Sequence, residues 1–232
     1  MPLCSKVGVL ARLVCKASGQ NKLIPVCFVG FGITKLYNIL FSNFWLLFIA
    51  SFIPSGKVAN EKAAQLIYSN VMIVSVVLGL LVVPIAGRLA DKYNPQIILP
   101  LSFFIRFCSI VMFMFIENPK TYYAFGVSVF VVVGTAMENV TVDCLLLRNA
   151  DRQIRGVILG FGTACGFIGM LIFSIVGGIL FDRIGPYAPF IFVGGLDAVF
   201  FVISSLLACC NVIKNDIKIK EEQLIKRRLE QI

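Results

Sequence analysis

The sequence predicts an all-α integral membrane protein: six transmembrane helices, with a basic amphipathic arm ahead of them and a charged tail behind. Three observations carry that expectation. The chain is 59% hydrophobic and only 14% charged over 232 residues, whereas a soluble domain is roughly 45–50% apolar and about 25% charged. Its mean hydropathy is +0.92. Its apolar residues gather into runs of membrane-crossing length, with turn chemistry between them.

A helix needs about 20 apolar residues to cross hydrocarbon about 30 Å thick. Runs at 24–54, 63–86, 96–116, 121–147, 156–181 and 187–212 meet that length. Their periodicity is helical and lacks the alternation of a barrel strand. Pro54-Ser55-Gly56, Asn94-Pro95, Asn118-Pro119 and Gly185-Pro186 punctuate them. The expected organisation is an arm at 1–23, a six-helix membrane unit at 24–212 and a tail at 213–232, with no room for a soluble catalytic domain.

In the arm, Val7, Leu10, Leu13 and Val14 share one helical face, while Lys6, Arg12 and Lys16 lie elsewhere. The first acidic residue in the chain is Glu61. This is the pattern of an interfacial helix, and a mitochondrial presequence has a similar composition. The tail carries mixed charge and reads as a solvated or membrane-grazing helix.

The net charge of +9 reads as topology. Fifteen lysines and arginines fall on the side that holds the arm, the 87–95 turn and the tail; only Lys57, Lys62, Lys120 and Arg183 fall on the other. The positive-inside rule then puts both termini on the cytoplasmic side, in a membrane the sequence does not identify. Basic residues are not interleaved with aromatics on a polar surface, so nucleic acid is not an expected partner. The chain has no histidine, which excludes a histidine proton relay or histidine-ligated metal. No metal cluster, nucleophile–base pair or phosphate loop stands out, so neither an enzyme nor a cofactor is expected. The eight cysteines form no CxxC pair and read as small buried hydrophobes. The adjacent Cys209 and Cys210, beside the basic tail, are candidates for palmitoylation.

The segment Gly87-Arg88-Leu89-Ala90-Asp91-Lys92 resembles the loop signature of the major facilitator superfamily, which joins the second and third helices of each six-helix half. Asn94 stands where the signature has glycine, and Pro95 and Gln96 stand where it has basic residues. A second likeness begins at Arg155-Gly156, where Gly160, Gly169, Gly177 and Gly178 keep the spacing of the family's glycine-rich antiporter motif. Phe173 and Ser174 replace that motif's Gly-Pro core, so antiport is not carried over. Leu180 to Pro186, followed by Pro189-Phe190, resembles the join between the last two helices of the family. On this resemblance the chain is one half of the fold, most like the C-terminal half. Its partners would be the lipid bilayer, a small solute, protons as a candidate coupling ion, and a second six-helix half or a homodimer mate.

The resemblance implies that the first and fourth helices line a central cavity. Lys35, Asn38, Ser42 and Trp45 are spaced three, four and three apart on span 1, which puts them on one helical face. Glu138, Asn139, Thr141 and Asp143 cluster on span 4. Ionisable groups inside a membrane are functional candidates by default. At 1.5 Å per residue, Lys35 and Glu138 both lie roughly 15 Å deep and are expected to face one cavity and pair. Glu138 is the better candidate for a coupling proton, because burial favours the neutral form of a carboxyl. Arg106 and Asp197 lie at matching depth near the midplane and are expected to form a structural ion pair. Asp91, with Arg88, Lys92 and Arg155, would form the gate that the family's loop provides, and Gly87 would permit close helix approach. Gly162/Gly166 and Gly156/Gly160 offer small-residue packing faces. These features point to a solute transporter working by alternating access. The alternatives are a non-transporting accessory membrane subunit and a truncated isoform.

Overall fold

The structure is a computed structural model that describes residues 13–19, 23–93, 95–150 and 153–210. These residues form helices and turns and no strand. The six main helices are α1 (Leu23–Ala50), α2 (Glu61–Lys92), α3 (Pro95–Phe113), α4 (Tyr122–Asn149), α5 (Arg155–Arg183) and α6 (Ala188–Cys209). Among the described residues, five of them (all but α3) are long and apolar enough to cross a membrane. The apolar part of α3, Ile97–Phe113, is shorter.

Local chemistry sets the helix ends. The Asn60 side chain accepts from the Ala63 amide at 2.9 Å and caps α2, and Thr121 does the same for α4 through the Ala124 amide; each satisfies an amide the helix leaves unpaired. Gly185 adopts φ +133° just past α5, a backbone geometry that suits glycine and turns the chain into α6.

The largest departure from the sequence reading is at 84–95. A turn is expected there, yet α2 runs unbroken through Lys92 with Pro84 inside it. At 32 residues the helix is about 48 Å long, so its last turns project beyond the hydrocarbon. The signature segment is therefore helical. Near the N-terminus, residues 13–19 are helical; Val14 is buried, whereas Leu13 on the same expected face is 37% exposed. Val7, Leu10, Lys6, Arg12 and the tail at 213–232 lie outside the described residues.

In the bundle, α1 packs most extensively on α5, α4 packs on α2 and α3, and α3 packs on α6. Small residues make the α1–α5 contact possible. A Cβ on Gly162 would stand 3.3 Å from the Phe31 ring, and one on Gly177 would stand 2.8 Å from Phe44. Gly156 and Gly160, read as a second packing face, have nothing within 4 Å. The buried side chains form two clusters. One, around Trp45, Phe48, Phe113 and Phe190, includes Phe113 and Phe190 stacked at 4.1 Å. The other, around Phe31, Phe103, Leu146 and Phe200, includes Phe103 and Phe200 at 4.5 Å. α2 and α5 turn apolar side chains such as Leu80, Leu81, Leu171 and Ile175 outward, as lipid-facing helices do.

Candidate functional site

Between the two clusters, three charged side chains from three helices meet. Arg106 of α3, Glu138 of α4 and Asp197 of α6 are each 0% exposed. The Arg106 Nε–H donates to Asp197 Oδ2 at 2.8 Å, and its Nη2 donates to Oδ1, a two-pronged pair of the kind a guanidinium makes with a carboxylate. Arg106 Nη1 lies 2.5 Å from Glu138 Oε2. Glycines bring the helices this close. A Cβ on Gly134 would stand 3.0 Å from the Arg106 Cα. A Cβ on Gly194 would stand 2.9 Å from Ile110 Cγ2. Gly134 precedes Glu138 by one helical turn and Gly194 precedes Asp197 by slightly less, so each glycine draws its helix onto α3 at the level of the charge. Neither glycine is singled out by the sequence reading; the available signal is a glycine three or four residues ahead of an intramembrane carboxylate.

This arrangement changes one expected pairing. Glu138 does not pair with Lys35; it turns into the bundle toward Arg106. Lys35 Nζ instead donates to Asn139 Oδ1 at 3.3 Å, and Asn139 Nδ2 donates to the Thr135 carbonyl at 2.9 Å. Consecutive helical residues point about 100° apart, so Glu138 and Asn139 serve different sides of α4. The Lys35 stem crosses Gly166, where a Cβ would stand 2.6 Å from Lys35 Cγ.

Asn38 and Ser42 are exposed, Lys35, Asn139 and Asp143 are half-buried, and Asp143 lies within Coulomb range of Lys35. Lys35, Asn139 and Asp143 thus gather where α1 meets α4, and Asn38 and Ser42 follow Lys35 along α1 by one and two turns. Thr141 is buried and turns back to donate to the Met137 carbonyl. Trp45 leaves the face altogether: it is 2% exposed, with its ring 4.6 Å from Phe113. The cause is a π-helical stretch at Leu40–Phe44. Its wider turn sets the following residues back by roughly one position, about 100°. Tyr37, Phe41 and Trp45 then line up as a ring ladder with 5.3 Å steps. The Tyr68 hydroxyl of α2 donates to the Ser42 carbonyl inside this stretch at 3.1 Å.

At the far end of α2, the Arg148 guanidinium donates to the Ala90 carbonyl at 2.9 Å and to Asp91 Oδ1 at 3.2 Å, linking the ends of α2 and α4. Arg155, expected beside Asp91, donates instead to the Ala150 carbonyl at 3.2 Å. Arg88 and Lys92 are exposed. Gly87 does not mark a close approach, since nothing lies within 4 Å of the place its Cβ would take. Ala86 and Ala90, at 3% and 4% exposure, are the small residues buried at this end of α2.

The profile of the Major Facilitator Superfamily matches residues 57–226. Over 155 residues the chain is 29% identical to the magnetosome protein MamH of Paramagnetospirillum magneticum, a match covering 67% of this chain and 35% of that protein. The chain thus spans about a third of the length of this curated relative. With nearly three quarters of its residues inside the family match, and with an all-helical, membrane-length architecture around them, the chain belongs to the Major Facilitator Superfamily.

Proposed function

We propose that the chain is one six-helix half of a secondary transporter that moves a small solute by alternating access. The second half would come from another chain or from further residues of a longer polypeptide. The observation that carries this reading is the open polar face of α1 and α4. The outward sides of α2 and α5 are apolar and suit lipid. Lys35, Asn38, Ser42, Asn139 and Asp143 do not: by insertion scales a charge at the bilayer centre costs about 2.5–3.5 kcal/mol. Such a face is stable against water or against a matching polar surface, and a cavity at the interface of two six-helix halves supplies both. The solute would lie against Lys35 and Asn139, with Asp143 one turn away.

The Asp91–Arg148 contact then serves as a gate. It ties the α2 end to the α4 end, and parting those ends breaks it. The concentration of basic residues at this end and in both termini supports a cytoplasmic placement.

The test is aqueous accessibility in membranes. In a background without native cysteines, Asn38→Cys and Ser42→Cys should react with a membrane-impermeant maleimide, while Leu80→Cys should not. Added solute of the right class should protect the first two. Unreactive cysteines at both 38 and 42 would refute the cavity. For transport itself, reconstituted full-length protein should take up solute, and Lys35→Gln should abolish uptake. An accessory subunit would instead co-purify with a larger complex in fixed stoichiometry and tolerate neutral residues at 35 and 138.

A further inference from the structure

The long helix α2 changes character part way along. From Val71 to Gly87 it carries no charged residue, a length of about 26 Å that nearly fills hydrocarbon about 30 Å thick. Glu61, Lys62, Gln65, Ser69 and Asn70 gather between the start of the helix and that stretch. The edge of the hydrocarbon remote from Arg88 therefore falls near Asn70. At this level a cleft of about 400 Å³ opens between α2 and the start of α4.

The cleft is amphipathic. Ile67 and Val71 of α2 and Phe125 of α4 supply apolar walls, while Asn70, Lys120 and Tyr122 supply polar atoms. Phe125 stands nearly one turn deeper along α4 than Tyr122, so the polar rim lies toward water and the apolar floor toward hydrocarbon. Tyr122 is 98% exposed, and an outward tyrosine at this depth suits the headgroup layer. The Thr121 hydroxyl is occupied: it donates to the Asn118 carbonyl at 2.8 Å and accepts from the Ala124 amide. The Lys120 backbone amide donates to Asn118 Oδ1 at 3.0 Å, which fixes the turn that presents the lysine side chain. The Lys120 ammonium and the Asn70 side-chain amide have no protein partner among the described residues.

We propose that this cleft binds one anionic phospholipid, with its phosphate against Lys120 and Asn70 and the upper part of an acyl chain along Val71 and Phe125. Three features select that occupant. A cation and an amide donor at the rim match a phosphate, whose charged oxygens accept strong hydrogen bonds. The walls below the rim are apolar and at hydrocarbon depth; an acyl chain covers them, and a water-soluble anion does not. The cleft lining holds no carboxylate among the described residues, so the ammonium of a zwitterionic headgroup finds no partner there and a headgroup of net negative charge is preferred.

The experiment is photolabelling of the full chain in phosphatidylcholine nanodiscs that hold a trace of phosphatidylglycerol with a diazirine high on one acyl chain, followed by peptide mapping. Labels should concentrate on residues 67–71 and 119–125. Excess unlabelled phosphatidylglycerol should displace them, whereas further phosphatidylcholine and soluble glycerol 3-phosphate should not. With the probe below saturation, Lys120→Gln should lower labelling about fivefold, the worth of one lysine beside an anionic headgroup. Asn70→Leu, which keeps the apolar walls, should lower it too. Lys62→Gln alters an exposed lysine outside the cleft and should leave labelling unchanged. Lys120 and Asn70 are exposed, so their variants should melt with the wild type, and lost labelling then reads loss of the site. Labels spread evenly over positions such as Leu80 and Leu171 would mark annular lipid only and overturn the proposal. So would a cleft that stays unlabelled, labelling that both Lys120→Gln and Asn70→Leu leave intact, or displacement by glycerol 3-phosphate. No solute enters the measurement, so its outcome is independent of the transport reading.

Discussion

Gly134→Ala isolates the device that assembles the triad. The new Cβ would stand 3.0 Å from the Arg106 Cα and 3.2 Å from its N and Cβ. Carbon atoms rest at about 3.5–4.0 Å, so α3 and α4 must part by roughly 0.5–1 Å. The obstructing atoms are backbone or backbone-adjacent, and no side-chain rotation relieves them. Overpacking of this kind costs about 1–3 kcal/mol. The substitution also gains about 1 kcal/mol of helix propensity, which a matched control removes. Gly126 lies two turns earlier on the same helix with nothing within 4 Å of its Cβ position, so Gly126→Ala gains propensity without a clash. The gap between the two variants therefore reads the clash alone. At about 2–4 °C per kcal/mol for a chain of this size, it should be roughly 2–12 °C. Trp45 is the only tryptophan and is packed against Phe113 of α3, so its fluorescence during a thermal ramp reports the loss of packing around α3. If the two variants unfold within about 1 °C of each other, close approach at Gly134 is not what holds α3 to α4.

Four further outcomes follow from the same geometry. Arg106→Met removes the cation that two buried carboxyl groups share and should destabilise the fold by about 3–5 kcal/mol, seen as loss of monodisperse protein on size exclusion; adding Glu138→Gln and Asp197→Asn should restore it. Tyr68→Phe removes the hydroxyl donated to the Ser42 carbonyl, worth about 0.5–1.5 kcal/mol; amide hydrogen exchange across 40–44 should quicken while α5 is unchanged. Asp91→Asn breaks a pair whose carboxylate is 77% exposed; such pairs contribute about 0–1 kcal/mol, so the melting temperature should hold while the balance between inward and outward labelling shifts. Gly166→Ala should push the Lys35 stem off its bed and reduce solute uptake to the level of Lys35→Ala; unchanged uptake would show that the Lys35 position is not set by α5.

The all-helical class and the placement of the long apolar helices were legible in the sequence because both depend on one-dimensional quantities: apolar run length, helical period and turn residues. Most expected spans match the observed helices to within a few residues, since a helix satisfies its own backbone whatever its neighbours. The signature segment at 84–95 shows where such reading stops. Charge and glycine suggest a turn, but Arg88, Leu89, Ala90, Asp91 and Lys92 are compatible with a helix, and once α2 leaves the hydrocarbon nothing compels it to end. The Arg106–Asp197 pairing was legible too, from their matching places along spans 3 and 6; that Glu138 joins them was not.

Rotation about the helix axis was not legible, and it is what separates the polar face from the buried triad. A face inferred from 3.6-residue spacing holds only while the helix stays α. The π stretch at Leu40–Phe44 carries Trp45 into the core, and its effect is invisible in the spacing. Glu138 and Asn139 are neighbours in sequence and look like one polar cluster, yet about 100° of rotation sends one to Arg106 and the other to Lys35. The sequence by itself determined that this is a helical membrane protein of a transporter family, with charges inside its apolar spans. Only the tertiary structure decided which charges meet, because the partners come from α3, α4 and α6, and the distance between those helices is set by Gly134 and Gly194, whose missing side chains acquire meaning only when another helix lies against them.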